Sequence, residues 1–403
     1  MSHVSSHSPH GQSPLRTVQV LGGGSAGSSA HVRSLAAGLV ARGVRVTVCA
    51  PSEAERAYGF GDVGAHHLAV PRRSDPASVA ALRVACADAD LVHAHGLHAA
   101  LRASLALHGR SIPLVVTWHT RSYAEGARAH LLRMLEKRVA RAASVVLGTS
   151  SDLVDRARAR GARDARLAAV SSLPRRPERR GAEDTGSHEG PENPGAFAST
   201  GNAGRPESAE DAERARLKIR AELGALDRPL LMAVGSLERH RGYDVLLDAA
   251  HAWLAHDPAP LLVIAGEGPE RAALQRRIES EGLAVRLAGR RDDIAELLPA
   301  ADVALLPSSW ESRSLLAQEA LHARVPLVAT AVGGIPELVG EAAELVPYGD
   351  APALARAVDR LLADPGRRAE LRDLGSAQAA SWPTEDATVA QVLSIYDELT
   401  GAF

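Results

Sequence analysis

Little in this chain ties it to an oxidising compartment, to nucleic acid or to a membrane interior. Of 403 residues only Cys49 and Cys86 are cysteines, each inside an apolar or helical segment, so neither a disulfide framework nor a thiolate zinc site is available. Excess charge of one sign is missing too: 46 lysines and arginines stand against 48 aspartates and glutamates. That balance provides no general drive toward nucleic acid or an anionic membrane. No window holds the roughly 18 consecutive apolar residues of a membrane span. The strongest apolar runs, such as PLLVIAG, have the length of strands. Residues 1–14, MSHVSSHSPHGQSP, lack the apolar stretch of a secretory signal and read as a disordered tail. The expectation is a protein of the reducing cytoplasm, at most peripheral at the inner membrane face.

What the chain does hold is alternation. Short β-branched runs are separated by longer helical patterns, the signature of parallel sheets with crossover helices. TVQVL (17–21), VRVTVCA (44–50), DLVHAH (90–95), PLVVTWH (113–119) and SVVLGTS (144–150) form a first series. A second comprises PLLMAVGS (229–236), PLLVIAG (260–266), AVRLAG (284–289), DVALLPS (302–308), VPLVATA (325–331) and AELVP (343–347). Between them, residues 175–213 are rich in Gly, Pro, Ser and charge and nearly empty of large aliphatics, so they read as a disordered linker. The reading is therefore α/β: two Rossmann-like, doubly wound domains, 15–174 and 214–383, facing across a cleft. A final helix over 384–403 folds back onto the first domain. Ligands of such sheets sit beyond the carboxyl ends of the strands.

The segment LGGGSAGSSAHV carries Gly22, Gly24 and Gly27 in the G-x-G-x-x-G spacing, after a strand and before a helix. Glycines there let backbone amides and a helix N-terminus approach an anion, or simply permit a tight turn. A nicotinamide dinucleotide also needs an acid at the tip of the next strand, which ends in Cys49, Ala50 and Pro51. The acid is absent, and an NAD-linked oxidoreductase is disfavoured. In the second half, ESRSLLAQEALHARVPLVATAVGGIPELVG puts Glu311 in a loop and Glu319 about two turns into a helix. Both can then face a ligand at the helix start, where the amides of Ser314, Leu315 and Leu316 point at its phosphate.

From Glu311 to Val339 the chain resembles the GT-B glycosyltransferases of family 4, retaining enzymes that use nucleotide sugars. Their pattern there is E-G-F-G-L-x-x-x-E-A, then G-x-P-V-V-A-T, then G-G-x-x-E. The glycine loop with His31-Val32, DLVHAHG, the strand ending at His119, AVGSLERHRGYDVLLDAA, IAGEGPER and LAGRRDDIAELLPAADVALLPS match as well. The resemblance implies a hexose-type transfer from a UDP- or GDP-linked sugar to an acceptor hydroxyl. Glu311 then contacts sugar hydroxyls, Glu319 the ribose, and Ser312, Arg313, Ser314, Leu315 and Leu316 the donor's diphosphate side. Gly24 and Gly27 line the donor from the first domain, and Gly289 and Arg290 lie near its base. His119 approaches the transferred sugar, and His95 lines the acceptor side. It further implies no metal and no cofactor beyond the nucleotide-sugar co-substrate, because basic groups and helix dipoles meet the leaving charge.

The sequence departs from that pattern at Ser236, where the family usually has arginine. Arg241 stands where it usually has lysine, and side chains occupy the glycine positions at Ser312 and Ser314. Arg313 is a candidate to replace the missing charge. A catalytically impaired sugar-nucleotide or glycan binding protein on the same scaffold is the alternative. His93, His95 and His98 lack a carboxylate or cysteine at recognisable spacing, so no metal site is expected; Asp88 and Asp90 flank a strand start. Residues 126–144 set Arg128, Arg133, Lys137, Arg138 and Arg141 beside an apolar stripe of Leu131, Leu135, Val139 and Ala142. That helix is read as packed with a basic outer face, or as a peripheral membrane contact toward a lipid-linked acceptor. Glycan and small-molecule acceptors fit the cleft equally, and no nucleic-acid partner is expected.

Overall fold

A computed structural model of the protein describes residues 14–22, 26–71, 75–121, 126–171 and 209–401. Seven strands form the first sheet: β1 (Arg16–Leu21), β2 (Arg45–Ala50), β3 (His66–Ala69), β4 (Leu91–His95), β5 (Leu114–Trp118), β6 (Val145–Gly148) and β7 (Ala165–Leu167). Six form the second: β8 (Leu230–Val234), β9 (Leu261–Ala265), β10 (Val285–Gly289), β11 (Val303–Leu306), β12 (Leu327–Thr330) and β13 (Glu344–Val346). Every pairing is parallel. The orders are β3-β2-β1-β4-β5-β6-β7 and β10-β9-β8-β11-β12-β13. The chain is thus two Rossmann-like doubly wound sheets flanked by helices.

The central strands are buried along their whole length because helices cover both faces, which is why they read as continuous apolar runs rather than alternating ones. Separate apolar cores lie on the two sides of each sheet. Helix starts follow side-chain chemistry. Asp75, Asp350 and Asp364 each accept a backbone N–H three residues on, with proline in the first turn.

Of the stretch 175–213, residues up to 208 lie outside the described ones, and the helix Ala209–Leu223 takes the rest. The tail over 1–14 lies outside them except for Pro14. The helix Glu385–Thr400 packs on the first domain: Val389, Val392, Ile395 and Tyr396 join its core. There the Tyr396 hydroxyl sits 2.9 Å from Gln19 Nε2. Among the described residues, no helix is long and apolar enough to cross a membrane.

The helix Gly126–Ala142 corrects one expected face. Val139 is fully buried, but Leu131 is 54% exposed and Met134 57%. Glu136 turns inward because Arg156 and Arg160 hold its two oxygens at 2.7 and 2.8 Å.

Candidate active site

Each sheet reverses its strand order once, between β1 and β4 and between β8 and β11. Crevices open at the carboxyl ends of strands at such points. In the second domain the loops after β8 and β11 are tied together. The backbone N–H and hydroxyl of Ser309 donate to the His240 carbonyl at 2.9 and 3.0 Å. Gly242, at φ 70°, passes so close to Pro307 that a Cβ would lie 2.1 Å from its carbonyl oxygen. This junction sets the Arg241 guanidinium on Glu311: Arg241 Nη1 donates to Glu311 Oε1, and the Ser308 hydroxyl donates to the same oxygen at 3.0 Å. Arg241 Nε is buried without a partner. Glu311, which the resemblance puts on the sugar hydroxyls, and Arg241, which stands at the family's lysine position, therefore form an ion pair with each other.

The Gly-Gly turn after β12 fixes the Glu311 backbone. Gly334 N–H donates to the Glu311 carbonyl at 2.9 Å. Gly333 has φ 53°, and a Cβ on it would fall 2.0 Å from that same oxygen. Only glycine meets both demands.

The helix Leu315–His322 starts at Ser314, whose hydroxyl accepts from the Ala317 N–H. The amides of Leu315 and Leu316 have no partner within the helix, as in any first turn. The Leu316 side chain is core, so only its backbone can serve a ligand. Glu319, on the same helix, is pushed up to about 7 by burial. The Ser312 hydroxyl corrects its assignment. It is buried and faces Thr149 Oγ1 at 2.7 Å and Ser150 Oγ at 3.1 Å, so it joins the domains instead of facing a donor. Trp310 joins the first domain's core and donates Nε1–H to Asp152 at 2.7 Å, a packing role. Arg313 Nε and Nη2 are buried with no hydrogen-bond partner; the Glu337 carboxylate acts on its charge, and its charge in turn acts on His31.

On the first domain's side, Gly24 lies outside the described residues. Gly27, in the first turn of the helix Ala26–Val40, has open space where a Cβ would stand. His95 ends β4 and His119 follows β5; His119 Nε2 lies 3.5 Å from His95 Nδ1. His31 completes a group with them, its ring centroid 5.8 Å from that of His95 and 5.3 Å from that of His119. Behind them runs a buried chain. His95 Nε2–H donates to Gln19 Oε1 at 3.0 Å, and Gln19 Nε2 donates to the Tyr396 hydroxyl. That hydroxyl donates to His93 Nδ1 at 2.8 Å, and His93 Nε2–H donates to Thr117 Oγ1 at 2.7 Å. Burial depresses His31 to about 4 and His93 to about 3, and holds His95 and His119 well below the ordinary value, with neighbouring charge adding to each. All four are neutral at pH 7.

Ser236 stands next to Gly235 at the end of β8, its carbonyl accepting from Glu238 N–H at 2.9 Å. Gly289 ends β10 at φ 72°. Arg290 beside it approaches Asp292 at 3.6 Å. The reading of the sequence did not single out Gln19, Thr117, Ser308 or Tyr396. For Gln19, Thr117 and Tyr396 the only signal was polarity inside apolar strands or a helix, as in the Gln19 of TVQVL; Ser308 lies in the loop after β11 and had none.

Residues 215–378 match the group 1 glycosyl transferases and residues 26–172 the glycosyl transferase 4-like domain. The chain belongs to the GT-B glycosyltransferases of family 4. Among its relatives is alpha-D-kanosaminyltransferase of Streptomyces kanamyceticus, 31% identical over 199 residues, 47% of this chain and 50% of the relative. D-inositol 3-phosphate glycosyltransferase of Salinispora arenicola is 35% identical over 214 residues, 49% of this chain and 47% of the relative. The chain thus spans about half the length of these curated relatives. Among solved GT-B structures, Anabaena Alr3699/HepE in complex with UDP superposes at a TM-score of 0.73 with 17% identity, covering 96% of this chain and all of that one. Sucrose-phosphate synthase of Thermosynechococcus elongatus gives 0.71 with 20% identity, over 96% of this chain and 100% of that one. In this GT-B chain, the glutamate pair follows β11 of the second sheet, and His95 and His119 stand at the carboxyl ends of β4 and β5 of the first.

Proposed function

We propose that the chain is a retaining glycosyltransferase moving a hexose-type sugar from a UDP- or GDP-linked donor to an acceptor hydroxyl. One observation carries the reading. Glu311 and Arg241 meet at the second sheet's switch point, in the loop that leads into the helix carrying the amides of Leu315 and Leu316 and the half-buried Glu319. Relatives named as transferases of kanosamine and to inositol phosphate, and fold neighbours crystallised with UDP and UDP-glucose, support it.

When a donor binds, its diphosphate lies against the helix amides and competes with Glu311 for Arg241. Glu311 is then released toward the sugar hydroxyls. Arg241, Arg313 and the helix start meet the charge that develops on the leaving diphosphate, and no metal is needed for that task. The departing phosphate oxygen takes the proton of the acceptor hydroxyl, which attacks from the same face. No side chain has to act as a strong base, in keeping with histidines held neutral. His119 supports the sugar as positive charge builds at its anomeric carbon. Exposed Leu131 and Met134, set among Arg128, Arg133, Lys137, Arg138 and Arg141, favour peripheral contact with an anionic membrane and a lipid-linked acceptor over a purely packed helix.

The test is thermal shift against UDP-, GDP- and ADP-sugars and NAD, followed by product mass with the donor that stabilises. Stabilisation by NAD alone refutes the reading. Ser236, where the family carries arginine, favours the second reading of an impaired binding protein. Donor binding without hydrolysis or transfer would establish it.

A further inference from the structure

We propose that His31, His95 and His119 form a binding site for a divalent transition metal of the zinc class, and that the ion inhibits by occupying the sugar side of the cleft. The three residues come from the helix Ala26–Val40, the end of β4 and the turn after β5. One nitrogen of each lies within 4.8 Å of the other two. Two imidazole nitrogens on one tetrahedral ion, at about 2.0–2.1 Å each, stand about 3.4 Å apart. His95 Nδ1 and His119 Nε2 are already at 3.5 Å, long for a hydrogen bond between two nitrogens. Three imidazoles on such an ion place their ring centroids about 5 Å apart. Here the separations are 5.8, 5.3 and 5.7 Å. Closing the remaining gap requires the His31 and His119 rings to turn toward His95.

The outer groups suit the role. Gln19 Oε1 accepts from His95 Nε2, which leaves the lone pair of Nδ1 directed at the group. Gln19 is itself held by Tyr396, so the ring cannot turn away. Three neutral nitrogens, with no carboxylate joining them among the described residues, match zinc, cobalt, nickel or copper rather than magnesium or calcium, which take oxygen ligands. A three-histidine set leaves a fourth coordination position open. The charge of Arg313, acting on His31, opposes the bare ion and favours an anion such as chloride or hydroxide in that position.

The experiment titrates the full chain, without donor, with Co2+ alone, reading metal by equilibrium dialysis and geometry by visible absorption. One equivalent with tetrahedral bands is expected. His31→Ala and His95→Gln should weaken binding more than about 100-fold, beyond the 10–100-fold typical of losing an outer partner. His98→Ala should leave it unchanged, and circular dichroism confirms that each variant is folded. An octahedral spectrum, uptake below one equivalent, or uptake unaltered by His31→Ala overturns the site; the last would point to His3, His7 and His10. The inhibitory part rests on the donor reading above: Zn2+ should raise the apparent KM for donor, reversibly with a chelator. Metal binding without any donor turnover would retain the site and remove the transferase reading, so the two fail separately.

Discussion

Replacing Glu319 with glutamine separates burial from ligand binding at one residue. In the free protein the carboxyl is lifted from 4.5 to about 7 by desolvation. A raised acid binds more protons folded than unfolded across that window, so its contribution to stability falls as pH rises from 4.5 to about 7. The shift of about 2.5 pKa units corresponds to about 3 kcal/mol at 1.36 kcal/mol per unit. Glutamine resembles the protonated acid at every pH. Wild type and Glu319→Gln should therefore melt alike at pH 5, and the variant should be the more stable at pH 8 by up to about 3 kcal/mol. For a domain of this size that is at most about 6–12 °C in Tm. Nucleotide affinity should move the other way. A carboxylate accepting ribose hydroxyls makes a charge-assisted hydrogen bond of about 1.5–3 kcal/mol, so the variant should bind the cognate nucleoside diphosphate about 10–100-fold more weakly at pH 8. Differential scanning fluorimetry at both pH values and calorimetric titration read the two effects. A stability difference independent of pH, or a variant less stable at pH 8, would refute the burial argument; unchanged affinity would refute the ribose contact.

Glu311→Gln removes the ionic partner of Arg241 and the acceptor for sugar hydroxyls. Donor hydrolysis and transfer should fall at least 10–100-fold by product mass, with the fold intact. Gly334→Ala places a Cβ 2.6 Å from Ser150 Cβ, across the domain junction, and 2.7 Å from the Ser312 carbonyl oxygen of its own domain. Overpacking of about 1–3 kcal/mol should appear in urea unfolding, with weaker donor binding. Tyr396→Phe strips partners from buried Gln19 and His93 and should cost about 2–4 kcal/mol while preserving secondary structure. Because His31 and His93 are held near 4 and 3 when folded, the unfolded chain takes up protons first as pH falls from 6.5. Stability should decline through that range, and replacing His93 with asparagine should flatten the decline in acid titration.

Legibility along the chain followed burial. The strands that serve the site read correctly to within about two residues, because β-branched apolar runs between two helical layers leave little else for them to be. β3 and β7 passed unnoticed. They are short edge strands, HHLA and ARL, whose side chains are half-buried or exposed, so neither apolar runs nor alternation marks them. The helix Gly126–Ala142 was assigned the wrong stripe at its start. An ion pair, not an apolar side chain, fills the buried position at Glu136, and Leu131 is left outside.

Glu311, Glu319 and the glycines after β12 were legible because one continuous segment carries them and the chemistry of a helix start is local. The histidine group was not. His31, His95 and His119 lie 64 and 24 residues apart, and His93, nearer in sequence and stacked on His95, gives its two nitrogens to Tyr396 and Thr117 instead. Alternation of apolar runs determined two wound sheets, and the glutamate spacing placed Glu311 in the loop before the helix Leu315–His322 and Glu319 on that helix. Only the assembled protein decided that Arg241 lies on Glu311, that the Ser312 hydroxyl joins the domains, and that a tyrosine from the last helix holds the histidines. Those contacts join elements whose distance along the chain is unrelated to their distance in space, and no local pattern encodes them.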